Sequence, residues 1–321
     1  VNNTVNTRMR GITQSVAAPS IAPLGYAEEE KTPKKNNPFS SYEKKEQTFD
    51  TQRFSAWSMG FGSWGKVKGT GGGPDTDTGN GGVLFGFDGL VSNAWRVGVM
   101  GGYSHSSFDT STSDGNSDNY HVGVYGTGDW GAVTVRSGLN YAWSDVDNTR
   151  QVSLLNQTLK GDYNAGSLSS FAEVAYTIKT APANFEPFAS LSYSRVKTDG
   201  FSETGGSAAL TVNEQQMNTT FTTIGLRTSK DIKLLGTAAA LRGTAGWVHA
   251  FGDVDPISTA RFATGDSFTV SGTPIDKDAA LLEAGLDLNL TPASTFSLGY
   301  NGQIGKNAYE HGANAKFRVQ F

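Results

Sequence analysis

The sequence predicts an all-β fold: a transmembrane, up-and-down antiparallel β-barrel of about twelve strands. Three observations predict it. From Arg53 onward apolar and small or polar residues alternate with period two. Long and short gaps between the alternating segments follow one another along the chain. The composition is rich in Gly, with 40 residues, and in aromatics at 11%, yet only 17% is charged. The mean hydropathy of −0.36 and the lack of any run of eighteen apolar residues argue against membrane-spanning helices. Neither argues against a barrel, in which only every second strand residue meets lipid.

Residues 1–25 come first and read differently. Val1, Val5, Met9, Ile12 and Val16 recur at helical spacing, Arg8 and Arg10 add positive charge, and Pro19 and Pro23 oppose further helix. By these residues alone the segment is either a terminal helix or a disordered tail. Residues 26–52 are a linker by composition. Glu28, Glu29 and Glu30, Lys34 and Lys35, and the charges of 43–46 leave almost no apolar side chains.

Within 53–321 the alternation assigns faces. Trp57, Met59 and Phe61 share one face of the first segment, against Ala56, Ser58, Gly60 and Gly62. Val83, Phe85 and Phe87 oppose Leu84, Gly86 and Asp88. Trp95, Val97, Val99 and Tyr103 oppose Arg96, Gly98, Met100 and Ser104. Val133, Val135, Leu139, Tyr141 and Trp143 oppose Ala132, Thr134, Arg136, Gly138 and Asn140. Leu282, Ala284, Leu286, Leu288 and Leu290 oppose Leu281, Glu283, Gly285, Asp287 and Asn289. The bulky set is expected on the lipid side and the small or polar set in the lumen, the reverse of a soluble sandwich. By this parity Asp88, Arg96, Glu173, Arg227, Glu283 and Asp287 point into the lumen. There most of them are expected to pair with one another, and one or two to grip a segment held in the pore, meeting Arg8 and Arg10.

Gaps near 65–81, 109–118, 145–164, 199–217 and 252–277 are long; those near 90–93, 129–130, 179–184, 230–235 and 291–293 are short. Long loops outside the cell and short periplasmic turns produce this alternation. The last segment ends with Phe317, Val319 and Phe321 on the lipid face, the arrangement that barrel-assembly machinery reads.

Several functions are excluded or disfavoured. Net charge is −4, so no basic surplus drives nucleic-acid binding. Cysteine is absent, and His105, His121, His249 and His311 lack ligand spacing, so no metal site and no cofactor is expected. Gly60-Phe61-Gly62-Ser63-Trp64-Gly65 matches a dinucleotide fingerprint by letter but lies inside a strand. No catalytic constellation assembles, so no enzyme is expected. No signal peptide precedes Val1, so the chain is expected to be the tail of a longer precursor.

Several stretches closely resemble the autotransporter β-domain family, and they come in family order. They are Glu186 to Tyr193 with Thr198 to Gly206, Phe221 to Arg227, Gly246 to Asp253, Phe268 to Ile275, Glu283 to Asp287, and Leu298 to Gln303. The resemblance covers about residues 53–321. It implies a barrel in the Gram-negative outer membrane and a pore-threading helix, here 1–25, joined through 26–52 to the barrel. It also implies an N-terminal passenger exported and anchored at the cell surface. Outer-membrane lipid, the chain's own passenger, barrel-assembly machinery and periplasmic chaperones are the expected partners of a monomer. Val1-Asn2-Asn3 followed by Asn6-Thr7-Arg8-Met9 resembles a self-cleavage site of enterobacterial serine-protease autotransporters, in which an Asn side chain attacks its own carbonyl. One residue is inserted here, and a polar helix start, the preferred reading, accounts for Asn2 and Asn3 equally. A diffusion porin and a soluble sandwich are the alternatives; the helical stripe argues against the first and the inverted size pattern against the second.

Overall fold

The computed structural model describes residues 53–69 and 73–321. Twelve long strands form the barrel: β1 (Phe54–Val67), β2 (Thr76–Leu90), β3 (Trp95–Asp109), β4 (Ser113–Trp130), β5 (Val133–Val152), β6 (Gln157–Tyr176), β7 (Asn184–Thr198), β8 (Gln215–Leu234), β9 (Thr237–Gly252), β10 (Asp278–Thr291), β11 (Ser294–Gly305) and β12 (Ala308–Gln320). Each pairs antiparallel with its neighbour in sequence, and β12 closes on β1 from Ser55↔Gln320 to Val67↔Ala308. Phe54 and Phe321 finish the seam with reciprocal backbone hydrogen bonds of 3.0 and 2.9 Å. Closure leaves no open edge, the condition for a sheet to stand in hydrocarbon.

Directly paired residues share a face, so the register propagates orientation round the ring. Phe85, on the outside at 56% exposure, pairs with Ser58 and Gly101. Asp88, buried completely, pairs with Ser55 and Gly98. The lipid face carries Val83, Phe87, Val97, Val99, Leu139, Leu282, Leu298 and Phe317. Aromatic pairs mark its two rims. Trp95 and Trp130 meet edge to face at 5.2 Å at one end, while Tyr141–Trp143 at 4.7 Å and Tyr103–Tyr120 at 5.6 Å lie toward the other. No helix among the described residues is long and apolar enough to cross a membrane, which has no bearing on a barrel.

The orientation of β1 corrects the sequence reading. Trp57 and Met59 point into the lumen at 3% and 5% exposure, and Ala56 and Gly60 face outward. Period two was right and the choice of face was wrong, because size alone cannot say which side a strand turns. The lumen here is packed rather than small: Trp57, Met59, Leu84, Met100, Tyr125 and Phe171 form one apolar cluster, with Phe61 against it. Phe85, Leu286 and Asp287 keep their expected sides.

One end carries the short turns at 91–94, 131–132, 235–236 and 292–293, a longer one at 177–183, and both ends of the barrel chain. Membrane barrels carry such short turns on the periplasmic side. At 235–236 Leu235 (φ 50°) and Gly236 (φ 84°) make the two left-handed positions of a tight hairpin. At the other end several expected loops are strand instead. Only 110–112 separates β3 from β4, and only 153–156 separates β5 from β6. Those hairpins rise beyond the bilayer, whose thickness needs only ~9–11 strand residues; above it both faces are wet, so the period-two signal fades while the backbone ladder continues. The connections 199–214 and 253–277 stay long and build a separate four-stranded sheet, at the end opposite the short turns, from Phe201–Ser202, Leu210–Val212, Ile257–Phe262 and Phe268–Ser271. Arg150 of β5 anchors it by pairing with Glu203 at 2.5 Å and donating to the Ala208 carbonyl at 3.0 Å.

Candidate functional site

The lumen is the candidate site. Its wall is built by the inward residue of each strand pair, and the charges expected there are inside: Asp88, Arg96, Glu173 and Asp287 are buried, Arg227 and Glu283 half-buried. All but Glu283 fall into three groups.

The first ties the closing seam. Asp88 on β2 accepts from Ser55 of β1 at 2.5 Å, from Arg96 of β3 at 2.6 Å and from the Tyr125 hydroxyl of β4 at 2.9 Å. Trp57 Nε1 donates to that hydroxyl at 2.6 Å, and Arg318 of β12 lies 3.8 Å from the carboxylate. One carboxylate therefore links five strands across the first-to-last junction.

The second group is a neutral quartet on four consecutive strands. Arg136 of β5 reaches Glu173 of β6 at 2.9 Å and Glu186 of β7 at 3.0 Å. Arg227 of β8 reaches Glu173 at 2.7 Å and Glu186 at 2.6 Å, and its guanidinium stacks 3.9 Å from the Phe188 ring centroid. Every charge in it has two opposite neighbours, the arrangement that makes buried ions tolerable. The third group is Arg242 of β9 with Asp287 of β10 at 2.6 Å. Glu283 faces the lumen with no ion pair among the described residues.

Arg136, Glu186, Arg242 and Arg318 line the lumen in addition to the six charges expected there. Arg136 already stood on the small-residue face of its segment, and the same parity applied to 184–198 puts Glu186 beside Phe188 and Ser190. The signal was present for both. For Arg242 the run Ala238-Ala239-Ala240-Leu241 carries too little alternation to set a face.

Beyond Glu186 and Phe188, the inward face of β7 continues as Ser190, Ser192 and Ser194, flanked by Ser169 on β6 and by Thr219 and Thr223 on β8. All six are buried.

Phe317, Val319 and Phe321 lie on the lipid side. Phe321 sits 6.2 Å from Phe87, which stacks on Phe54 at 5.7 Å, an aromatic staple over the seam. Three histidines belong to the outer wall: His105 meets Asp118 at 2.9 Å, His249 meets Asp278 at 2.7 Å and His311 meets the Tyr300 hydroxyl at 2.7 Å. Among the described residues no three His, Asp or Glu side chains gather as a metal site. High on the β5–β6 hairpin, the Asp162 carboxyl hydrogen-bonds Asp147 and holds its pKa above the ordinary range. The pore-segment residues Val5, Arg8, Met9, Arg10 and Ile12, and the cleavage candidates Asn2 and Asn3, lie outside the described residues.

The comparisons with known proteins fit this architecture. The family model "Autotransporter beta-domain" matches residues 56–301. An extracellular serine protease of Serratia marcescens is 36% identical over 270 residues, which is 83% of this chain and 26% of that protein. Esterase EstA of Pseudomonas aeruginosa is 24% identical over 72% of this chain and 37% of its own length. The chain thus spans roughly a quarter to a third of these relatives. The solved translocator domain of the autotransporter NalP from Neisseria meningitidis has the same fold, with a TM-score of 0.73 at 13% identity over 99% of this chain and 95% of that one. A twelve-strand ring closed at its seam, greasy outside and charge-paired inside, together with the family match over most of its length, makes this chain a member of the autotransporter β-domain family.

Proposed function

We propose that residues 1–25 thread the lumen as a helix, that 26–52 links them to β1 on the periplasmic side, and that a passenger preceding Val1 is exported and anchored at the cell surface. One observation carries this reading. Twelve strands about 4.8 Å apart and tilted about 40° enclose a ring about 24 Å between opposite backbones. Serine side chains cannot bridge that width, yet Ser169, Ser192 and Ser194 are at most 1% exposed. A filled lumen accounts for this and an open channel does not; Val254 and Ile275 of the 253–277 connection fill it beside Phe221 and Leu281, and 1–25 is the occupant we propose for the remainder.

In this reading the barrel performs no catalysis, and the protease and esterase activities in the relatives' names belong to their passengers. ATP is absent outside the inner membrane, so the driving force comes from assembly machinery and from passenger folding. Phe317, Val319 and Phe321 serve as the strand end read by that machinery, periplasmic chaperones deliver the unfolded barrel, and the finished translocator is a monomer in lipid. The quartet and Asp88 are held by their own neighbours, which makes them wall braces first and contacts for Arg8 or Arg10 second.

Single-channel conductance in planar bilayers tests the reading. Deleting 1–25 should convert a nearly closed barrel into a strongly conducting one. Equal conductance with and without the segment, as in a diffusion porin, would refute it.

A further inference from the structure

We infer that the two long connections, 199–214 and 253–277, form a hinged lid over the barrel mouth opposite the short turns, closed in this structure and released at a polar clasp on the β5–β6 hairpin. Nothing in it depends on what fills the lumen below.

The four-stranded sheet of these connections has an upper side and an underside. Its register lines up Phe201, Val212, Ala260 and Phe268 in one apolar row, one residue from each strand. Ser202, Thr211, Arg261 and Thr269 stand on the other face. Ala260 is 4% exposed, whereas Ser202, Arg261 and Thr269 are open to solvent. The apolar face turns inward. Phe201 stacks on Tyr163 of β6 at 4.4 Å, and by strand alternation Tyr163 shares the lumen side with Phe171 and Glu173. Leu159, on the same side nearer the hairpin tip, is completely buried. Between them Gly161 permits the close approach: a Cβ there would stand 2.6 Å from the Phe201 ring. Farther round the ring, Val254 and Ile275 pack with Phe221 of β8 and Leu281 of β10. The sheet therefore leans over the mouth above β6 to β10.

Its two attachments differ in kind. On the β8–β10 side the chain itself roots the lid, and Val254 and Ile275 pin it in an apolar cluster. On the β5–β6 side every contact is polar and non-covalent. Arg150 pairs with Glu203 at 2.5 Å and donates to the Ala208 carbonyl at 3.0 Å. The Gln157 side chain donates to Ser207 Oγ and accepts from the Ala208 amide, both at 3.0 Å. Lys160 and Thr204 exchange backbone hydrogen bonds of 2.9 and 2.8 Å. The Arg150 side chain is 29% exposed, so water can take over its bonds at small net cost. Water cannot replace the apolar packing of the pin in the same way. Opening therefore breaks the clasp first and turns the sheet about its β8–β10 root, the kind of local release that polar, solvent-reached contacts permit.

The chain has no cysteine, so one introduced cysteine reports one face without background. Ala260→Cys marks the underside and Thr269→Cys the upper side, each in the full chain. Intact cells are treated with a maleimide dye too large to pass general porins, and assembly is checked by heat-modifiable migration. With the clasp intact, Ala260→Cys should label many-fold more slowly than Thr269→Cys. Arg150→Gln together with Glu203→Gln leaves no unpaired charge; it should speed labelling of Ala260→Cys several-fold and leave Thr269→Cys unchanged. Gly161→Ala, which crowds Phe201 without touching a charge, should act in the same direction and serves where the double change fails to assemble. Equal labelling of the two faces with the clasp intact overturns the lid. An Ala260→Cys rate that stays slow when the clasp is cut in an assembled barrel overturns the release at Arg150–Glu203, and the inference with it. Neither result touches the export reading. A Thr269→Cys that no external dye reaches in an assembled barrel removes the outward-facing lid and the export reading together.

Discussion

Replacing Glu173 by Gln keeps the shape of the quartet and removes one of its two negative charges. Arg136 and Arg227 then share Glu186 alone, and two contacts of 2.9 and 2.7 Å lose their charge. Both cations remain buried, at 5% and 11% side-chain exposure, and the group carries a net positive charge on the lumen wall. Breaking a buried pair from one side costs about 3–5 kcal/mol. The neutral double change Glu173→Gln with Arg227→Gln should recover a substantial part of that loss, because no unpaired ion is left. Tryptophan-fluorescence unfolding in guanidinium, with the barrel in detergent micelles, measures both. If Glu173→Gln costs less than about 1 kcal/mol, the value of an exposed pair, the quartet is bathed in water and the argument for a dry, braced wall at β5–β8 is refuted.

The orientation of β1 gives a second prediction. Trp57→Ala should cost about 3–5 kcal/mol as a buried large-to-small change, and Gly86→Ala should also destabilise, because its Cβ would stand 2.3 Å from the Trp57 ring, whereas Gly60→Ala, with nothing within 4 Å, should not. Reversed sensitivities in the same unfolding assay would return β1 to the opposite face. Phe85→Arg should cost about 2–4 kcal/mol near the bilayer midplane, measurable as a loss of folded fraction in liposomes. High on the β5–β6 hairpin, Asp147 binds its proton more tightly in the folded than in the unfolded chain. The stability it contributes is therefore present at low pH and lost as pH rises through its folded pKa. Asp162→Asn should lower the Asp147 midpoint seen by carboxyl NMR; an unchanged midpoint would deny the shared proton.

The legibility of this fold varies with how different its two faces are. In β10, Leu282, Leu286 and Leu290 against Glu283 and Asp287 give an unambiguous side, because lipid excludes charge. In β1 both faces are uncharged, and Trp57 against Gly60 says only that they differ. Strand ends above the bilayer, such as 145–152 and 157–164, carry no face signal since water meets both sides, so they read as loop. The lumen charges followed from parity, but their partners did not: Arg136 and Arg227 are 91 residues apart in sequence and meet only through the register of β5 to β8. The surroundings of Ser192 were invisible for the same reason, since Phe171 and Phe221 come beside it only through the register of β6 to β8.

The export claim is tested most directly by a protease-sensitive tag placed immediately before Val1 in living cells. With the barrel inserted, external protease should remove the tag while the barrel keeps its heat-modifiable migration. A tag that stays protected in cells carrying an intact, inserted barrel would mean that nothing upstream of Val1 reaches the surface through it.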